Sequence, residues 1–375
     1  FSIINDKQKH SYSVNHVETL LGTLEKFISD IYIKSLENSD NYPLFTPYNV
    51  QKDILYIYNR LLNGMLLKRV EKKIEAIRDL KIYNTLKRLD EKSENDIKNM
   101  ESLEKKYNNS PYNLFRILKD NHKIVLDELL DKYANILNNP KKIEGHTYIS
   151  PKVVSINMDN VRKENEYSIF HNYTVTDKAD GLNMMLFKIG LEHLDESEKE
   201  KYAKYNNMVF LIDSNMKVYN TDIKATFNKN SHVFNGEYLL KDSSNNLLNK
   251  FAVFDSYIFD GEDVCGLKLM STGDENTRIK IALDYFQDGQ YIDTNNNRRD
   301  FGVFVKDFKI ATDENDIFYQ SNQIWANYRA GVANKSIGKM YTLDGLIYTP
   351  SEFPVGYKVD SLYGGLFDYD LRQDT

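Results

Sequence analysis

Tyr173-Thr174-Val175-Thr176-Asp177-Lys178-Ala179-Asp180-Gly181 is the stretch that decides the fold, and Met184-Met185-Leu186-Phe187 follows it closely. β-Branched and aromatic residues begin the first stretch, and Asp-Gly is a strong turn signal. Two strands joined by a short connection are therefore predicted, with Lys178 near the end of the first. Lys-Ala-Asp-Gly alone is weak evidence for catalysis, because charged turns of this composition are common. Its meaning depends on the residues downstream.

Composition limits the classes of protein to which the 375-residue chain can belong. Its length suggests two or three domains, and its net charge of −6 argues against a general affinity for nucleic acid, although a local basic groove is compatible with it. No run of about 18 apolar residues occurs, so no membrane span is expected. No basic-then-apolar leader begins the chain, which argues against a secretory signal. The single cysteine, Cys265, excludes an internal disulfide and favours a reducing compartment.

Residues 1–145 are predicted to form a helical region. Apolar residues recur three and four apart in 17–28, 54–67 and 114–137, as on one face of a helix. The segment 68–106 is dense in charge and sparse in apolar positions, which predicts a solvated helical hairpin. We interpret this region as a connector or as the tail of an upstream module.

Residues 146–375 are predicted to form a second, α+β domain built on antiparallel sheets. Short β-branched and aromatic runs alternate there with Asn, Asp, Gly and Ser clusters, and Asp213-Ser214-Asn215 reads as a hairpin turn. The predicted strands include 208–212, 217–219, 232–234 and 251–254, and the candidate helices are 191–204 and 278–288.

Three further motifs follow Lys178 in order. Phe234-Asn235-Gly236-Glu237 places a glutamate after a glycine at the head of a strand, and Val253-Phe254-Asp255 ends an apolar strand in a carboxylate. Leu343-Asp344-Gly345 is a turn that runs into another strand. Ordinary turns need not place Lys, Glu, Asp and Asp at the ends of four strand-like segments, so the set carries more weight than any member.

Each motif also has a simpler interpretation. Glu237 can be an exposed strand residue, and Phe254 can be a core aromatic, as most buried aromatics are. Asp344-Gly345 can be a plain hairpin turn. Lys306 and Lys309 can be phosphate ligands or a solvated strand face.

The order of the motifs resembles that of the covalent nucleotidyltransferases, the superfamily of mRNA-capping guanylyltransferases and ATP-dependent ligases. Residues 178–181 resemble motif I, 235–237 motif III, 253–255 motif IIIa and 344–350 motif IV. Asp344-Gly345-Leu346-Ile347-Tyr348-Thr349-Pro350 is similar to the form of motif IV found in guanylyltransferases. The lead-in 151–156 and Thr176-Asp177 resemble the capping enzymes of large DNA viruses of the poxvirus, asfarvirus and mimivirus kind.

The resemblance covers about residues 145–350 and implies an antiparallel-sheet nucleotidyltransferase domain, ATP-grasp-like as in ligases and capping enzymes. It implies an mRNA 5′-capping guanylyltransferase that transfers GMP from GTP to a 5′-diphosphate RNA end. Its substrates are then GTP and the 5′ end of RNA, and triphosphatase and methyltransferase modules or subunits are expected partners. A cytoplasmic viral factory or a virion is the expected location.

The resemblance also implies a role for individual residues. Lys178 is the expected nucleophile, which forms a lysyl-N–GMP phosphoramidate, and such an amine needs nearby positive charge or desolvation to lose its proton. Asp344 is expected to hold Mg²⁺ or Mn²⁺, with Glu237 as a second metal ligand or a ribose contact; Mg²⁺ needs one or two carboxylates besides substrate oxygens. The expected nucleotide-binding residues are Thr176, Asp177, Asp180, Gly181, Glu237, Phe254 and Lys306, with Phe254 stacked on the purine.

The sequence departs from the family pattern in two places. Asn183 stands where many members carry an arginine, which leaves one phosphate or ribose contact unassigned. No KWKP-type motif V and no segment typical of a closing OB-fold are visible before Thr375.

Two alternatives to guanylyl transfer stay open at this stage. One is an ATP-dependent DNA or RNA ligase, with AMP on Lys178. The other is a catalytically weak scaffold subunit of a capping complex, in which the helical region is the main interaction surface.

Overall fold

The computed structural model describes residues 23–24, 44–108, 150, 155–164, 168–225, 230–273, 276–287, 291–293, 301–334, 341–353 and 355. Within these residues the chain has an α+β fold, with helices that precede and cover two β-sheets. This confirms the predicted fold class at that level.

The secondary-structure elements are numbered here in chain order. The helices are α1 (Tyr48–Lys87), α2 (Glu94–Asn108), α3 (Glu196–Tyr202), α4 (Arg278–Gln287) and α5 (Ile317–Asn334). The strands are β1 (Leu44–Phe45), β2 (Tyr173–Ala179), β3 (Leu182–Lys188), β4 (Met208–Asp213), β5 (Val218–Ala225), β6 (His232–Lys241), β7 (Leu247–Phe259), β8 (Glu262–Asp263), β9 (Tyr291–Asp293), β10 (Gly302–Val305), β11 (Phe308–Ile310) and β12 (Leu343–Pro350).

The strands form a large sheet and a small sheet. The large sheet has the order β1-β5-β4-β3-β6-β7-β10, with β8 added to β7 and β9 to β5. Its pairings are antiparallel except for that of β10 with β7, which is parallel. The small sheet has the order β11-β2-β12 and is antiparallel, with β2 at its centre.

One face of the large sheet is covered by the first half of α1. Ile54, Ile57 and Tyr58 repeat at helical spacing and are fully buried, where they share a core with Met185 and Phe187 of β3. β1, just before this helix, pairs with β5. The first half of α1 therefore belongs to the core of the large sheet.

The second half of α1 pairs with α2 as a charged hairpin. Lys106 on α2 forms ion pairs of 2.7 Å with both Glu75 and Asp79 on α1, while Leu80 is buried. This confirms the hairpin predicted for 68–106.

The remaining faces are covered by α4 and α5. Tyr285 of α4 packs with Phe234 on the other face of the large sheet. Ile317 and Ile324 of α5 pack on Val175 of the small sheet. The structure thus has a helix on each face of the large sheet and one against the small sheet.

Most strand predictions are confirmed, and one helix prediction needs correction. β4, β6 and β7 contain the predicted runs 208–212, 232–234 and 251–254, whereas β5 begins at Val218, one residue after the predicted start. β6 and β7 extend past their predicted runs, so Glu237 and Asp255 lie within strands rather than at strand ends. The turn at 213–215 joins β4 to β5. α4 matches its prediction, α3 begins at Glu196 rather than at 191, and α5 was not predicted. The predicted helix 114–137 and the domain boundary near 145 lie outside the described residues, as does nearly all of 17–28.

Among the helices in the described ranges, none combines the length and the apolarity that a membrane crossing requires.

The chain passes between the two sheets through two very short connections. Asp180-Gly181 links β2 of the small sheet to β3 of the large sheet. Lys306-Asp307 links β10 of the large sheet to β11 of the small sheet. We call these pairs the first and the second crossover, and every candidate site residue lies on one of them or on the strands around them.

Candidate active site

Lys178 and Asp344 lie together at the open side of the small sheet. The Lys178 ammonium donates a hydrogen bond to the Asp344 carboxylate. The two side chains are 37% and 58% exposed, so water reaches both. Exposed ion pairs of this kind contribute only about 0–1 kcal/mol, and a ligand can therefore separate this one at little cost.

A β-bulge brings Asp344 to this place. Leu343 pairs with Ala179 and Gly345 pairs with Lys178, so Asp344 is an extra residue without a partner in the ladder. Gly345 has a φ of +142°, which a side chain would disfavour. The bulge therefore favours glycine at 345, and it directs the carboxylate of Asp344 at the lysine on the neighbouring strand.

A second lysine and carboxylate pair lies deeper, where the sheets meet. Lys306 of the second crossover donates to the carboxylate of Glu237 on β6. The side chain of Lys306 is fully buried and that of Glu237 is 12% exposed. Loss of one partner of a buried pair costs about 3–5 kcal/mol, so this pair is far more firmly held than Lys178–Asp344. The interpretation of Lys306 as a solvated strand residue is wrong.

Phe254 lies beside this buried pair. The Lys306 ammonium is 5.7 Å from the centroid of the Phe254 ring. Asn235 pairs with Asp255 and Gly236 with Val253, so Phe254 is the extra residue of a second bulge. The ring is half-buried and packs against Leu269, Ile279 and Phe308. Phe254 is thus partly a core residue and partly available at the site.

The first crossover requires a glycine because two strands approach closely there. A Cβ atom at Gly181 would lie 2.8 Å from Cδ2 of Leu239 and 3.0 Å from the backbone oxygen of Tyr238. Asp180 is exposed, and its backbone N–H donates to the carbonyl of Thr342 at 3.2 Å. The crossover thus holds the end of β2 against both β6 and the start of β12.

Thr176 and Asp177 face protein rather than the open side of the site. The Thr176 hydroxyl donates to the carbonyl of Asp307 at 2.8 Å, and the Asp177 carboxylate accepts a hydrogen bond of 2.6 Å from Tyr341. Both side chains are buried. Their hydrogen bonds stabilise the second crossover. No sequence motif had indicated Tyr341.

Asp255, the last residue of the segment that resembles motif IIIa, forms an ion pair with a buried arginine. Arg278 donates to it at 2.7 Å and 3.3 Å, and the same guanidinium donates to the carbonyl of Phe353 at 3.0 Å. Burial raises the pKa of Asp255, and the charge of Arg278 opposes that shift. The pair ties β7 and α4 to the segment after β12, which is a structural role.

Asn183, one of the places where the sequence departs from the motif pattern, takes part in a network of uncharged groups. Its amide donates to the Ser150 hydroxyl at 3.2 Å, and the amide of Asn235 donates to the same oxygen at 2.9 Å. Asn183 pairs with Glu237 in the sheet. Ser150 therefore lies over the edge of the site, a position that no sequence motif predicted.

The predicted metal ligands do not form a ready-made cage. Across the described ranges, no group of three or more His, Cys, Asp or Glu residues is arranged to hold a metal ion. Glu237 is held by Lys306, whereas Asp344 offers an exposed carboxylate. Mg²⁺ commonly uses one or two carboxylates together with substrate phosphates, so Asp344 fits a cation that arrives with a nucleotide.

Lys309, the other lysine of this region, lies away from both pairs. It is on β11 and forms an ion pair of 3.2 Å with Asp307. About a third of its side chain is exposed. The two lysines of the Val305-Lys306-Asp307-Phe308-Lys309 segment therefore have different environments, one buried in the site and one on the surface.

Comparison with known proteins adds no relative to this description: no protein-family model matches the chain, and neither does any curated protein.

Proposed function

We propose that this chain is a covalent nucleotidyltransferase and, more specifically, an mRNA 5′-capping guanylyltransferase. The observation that carries the proposal is the placement of Lys178. It ends β2 beside an exposed carboxylate and next to the crossover between the sheets, while Glu237, Phe254 and Lys306 lie where those sheets meet. A nucleophile, a carboxylate, an aromatic ring and a second cation are the groups that nucleotidyl transfer to an amine requires.

The first step joins Lys178 to the nucleotide. Nζ of Lys178 attacks the α-phosphorus of GTP, the bond from that phosphorus to the bridging oxygen breaks, and pyrophosphate leaves with the electron pair. The Lys178 ammonium loses one proton before the attack and a second after the bond to phosphorus forms. Both protons pass to solvent, and Asp344, which already accepts a hydrogen bond from Nζ, is the first acceptor. The product is a lysyl-N–GMP phosphoramidate.

The second step returns the lysine to its starting state. An oxygen of the terminal phosphate on a 5′-diphosphate RNA attacks the same phosphorus, and the phosphorus–nitrogen bond breaks. Lys178 takes a proton from solvent, which its exposure allows. The RNA then carries a 5′–5′ triphosphate bridge to guanosine.

The groups where the two sheets meet would hold the nucleotide. Phe254 would stack on the base, because flat rings bind bases through dispersion and electrostatics. Lys306, whose ammonium lies over that ring at 5.7 Å from its centroid, would donate to an acceptor of the base or the phosphates. Guanine presents a carbonyl oxygen where adenine presents an amino group, so a fixed ammonium near the base favours guanine.

A divalent cation would enter with the phosphates. Asp344 would contribute one carboxylate oxygen, and phosphate oxygens and water would complete the shell. The cation would supply positive charge beside the reacting phosphate.

Covalent labelling tests the proposal directly. The purified chain is incubated with Mg²⁺ and either GTP or ATP labelled at the α-phosphate, and protein-bound label is measured after denaturation. We expect label from GTP that is stable in alkali and lost in acid, as a phosphoramidate is. Lys178→Ala should take no label, whereas Lys309→Ala, a lysine from the same region that is exposed, should behave as the wild type.

Each other outcome identifies a different function. Label from ATP and not from GTP contradicts guanylyl transfer and favours the ligase alternative. No label from either nucleotide, in a folded protein, contradicts catalysis by this chain and favours a scaffold. Label that persists in Lys178→Ala would show that another residue is the nucleophile.

A further inference from the structure

Lys306 is fixed from several sides, which is unusual for a long and flexible side chain. Its backbone N–H donates to the carbonyl of Val253 at 2.8 Å, on the large sheet. The backbone carbonyl of the next residue, Asp307, accepts a hydrogen bond of 2.8 Å from the hydroxyl of Thr176, on the small sheet. The second crossover is therefore clamped to both sheets before the lysine side chain makes any contact.

The ammonium of Lys306 has two hydrogen-bond acceptors. It donates to the backbone carbonyl of Asp177 at 3.1 Å and to the carboxylate of Glu237. The carboxylate of Asp177 lies 3.9 Å away, close enough for an ion pair but too far for a hydrogen bond. Two buried carboxylates thus compete for one buried ammonium.

Tyr341 settles this competition. Its hydroxyl donates to Oδ2 of Asp177 at 2.6 Å, the same oxygen that faces Lys306. Burial, reinforced by the charge of Asp177, raises the pKa of the Tyr341 phenol, so the hydroxyl keeps its proton and remains a donor. The Tyr341 ring is itself fixed, because it stacks on Phe304 at 6.1 Å between centroids and packs with Ala179 and Leu239.

We propose that Tyr341 and Asp177 are positioning residues that set where the Lys306 ammonium points. The hydroxyl holds the Asp177 carboxylate back, and the Lys306 ammonium is then directed at Glu237 and lies over the Phe254 ring. Without the hydroxyl, the Asp177 carboxylate closes on Lys306 and withdraws the ammonium from the nucleotide. This inference rests on the proposed function, because it assigns Lys306 to nucleotide binding.

The test measures nucleotide affinity apart from the chemical step. Calorimetry with α,β-methylene GTP, which cannot release pyrophosphate, reports binding alone. We expect Tyr341→Phe, which keeps the ring, to bind this analogue about tenfold more weakly, as loss of a hydrogen bond to a charged group predicts. Its labelling rate at saturating GTP should change much less. Tyr348→Phe is the matched control: it is on β12, and its hydroxyl contacts Ser321 at 3.0 Å, outside this network.

A second substitution separates positioning from general damage to the fold. In Tyr341→Phe/Asp177→Asn, the neutral amide no longer attracts Lys306, so affinity should recover toward the wild-type value. Asp177→Asn alone keeps a hydrogen-bond acceptor for Tyr341 and should bind the analogue at least as tightly as the wild type. If Tyr341→Phe does not fold, the affinity of Asp177→Asn tests the inference instead.

Three results would overturn the inference: unchanged affinity in Tyr341→Phe, weaker binding in Asp177→Asn, or a double variant that binds more weakly than either single one. Failure of the proposed function looks different, because the wild type itself would then neither bind the analogue nor take label, and the inference would fall with it.

Discussion

Lys178 donates a hydrogen bond to the carboxylate of Asp344, a residue 166 positions later in the chain. The contact exists because Asp344 is the extra residue of a bulge on β12, opposite the end of β2. Without that bulge, residue 344 would be an ordinary paired residue of the β2–β12 ladder. Two short motifs that are far apart in sequence thus form one site through the pairing of two strands.

Asp344→Asn should therefore reduce activity and leave the fold intact. The exposed ion pair contributes about 1 kcal/mol or less, so the thermal midpoint should change little. Labelling of Lys178 should slow by about 100-fold, because the amine loses its proton acceptor and the cation loses a ligand. Glu352→Gln is the matched control, since Glu352 is an exposed carboxylate that pairs with Lys268 at 3.5 Å. Equal labelling rates in the two variants would contradict this role for Asp344.

Gly181→Ala should destabilise the protein and Gly64→Ala should not. A Cβ at Gly181 meets a backbone oxygen at 3.0 Å and a leucine side chain at 2.8 Å, and overpacking of this kind costs about 1–3 kcal/mol. A Cβ at Gly64, inside α1, meets nothing within 4 Å. Alanine is favoured there by about 1 kcal/mol over glycine in a helix. The denaturant midpoint of unfolding should decrease in Gly181→Ala and increase in Gly64→Ala. Shifts in the same direction would contradict the close approach at the first crossover.

Asp255→Asn should destabilise the protein by about 3–5 kcal/mol, because it leaves the buried Arg278 without its counter-charge. Urea unfolding of the variant measures this loss. Asp255→Leu/Arg278→Met, which removes both charges, should recover much of it. Labelling per folded molecule should be close to that of the wild type in both variants. Loss of labelling in a variant of normal stability would instead make Asp255 a member of the site, as its place in the motif order suggested.

His232 should make the protein sensitive to acid. Burial, with help from the nearby charge of Lys188, lowers the pKa of His232 to about 3. The unfolded chain takes up this proton near pH 6.5 and the folded chain does not, so stability is complete above that pH and falls as the pH drops toward the folded value. The loss at about pH 5 amounts to about 2 kcal/mol.

His232→Phe tests this dependence, since a phenyl ring can occupy the position among Phe234, Phe259 and Tyr285. Its midpoint at neutral pH should fall, because the backbone N–H of Asp260 loses its acceptor. The further decrease between neutral pH and about pH 5 should be smaller than in the wild type. Identical decreases in the two proteins would assign the acid sensitivity to other groups.

Much of the fold follows from local sequence patterns. Short continuous runs of apolar, β-branched and aromatic residues predict β4, β6 and β7, because a strand that is buried on both faces needs apolar residues at successive positions. α5 has weaker signals: its buried Ile317 and Ile324 are seven residues apart, and aromatic residues between them favour strands as much as helices. The small sheet on which it packs decides its structure.

The candidate site was predictable where its residues sit in motifs, and less so where they depend on pairing. The neighbouring positions of Lys178 and Asp344 follow the motif order, and the two side chains are in contact in the structure. The burial of Lys306 and its contact with Glu237 depend on how the second crossover is clamped between sheets. Tyr341 and Ser150 enter through tertiary contacts alone, and no local pattern marks them.

The position of β12 at the edge of the small sheet has a consequence for synthesis. Lys178 lies on β2, whose partner β12 is made well over a hundred residues later. Closing so long a loop is slow compared with local folding, so the ladder that carries Asp344 is among the last contacts to form. A nascent chain thus holds its reactive lysine without its carboxylate until translation has passed residue 350. Synthesis of β12 is then a precondition for the nucleotide chemistry proposed for Lys178.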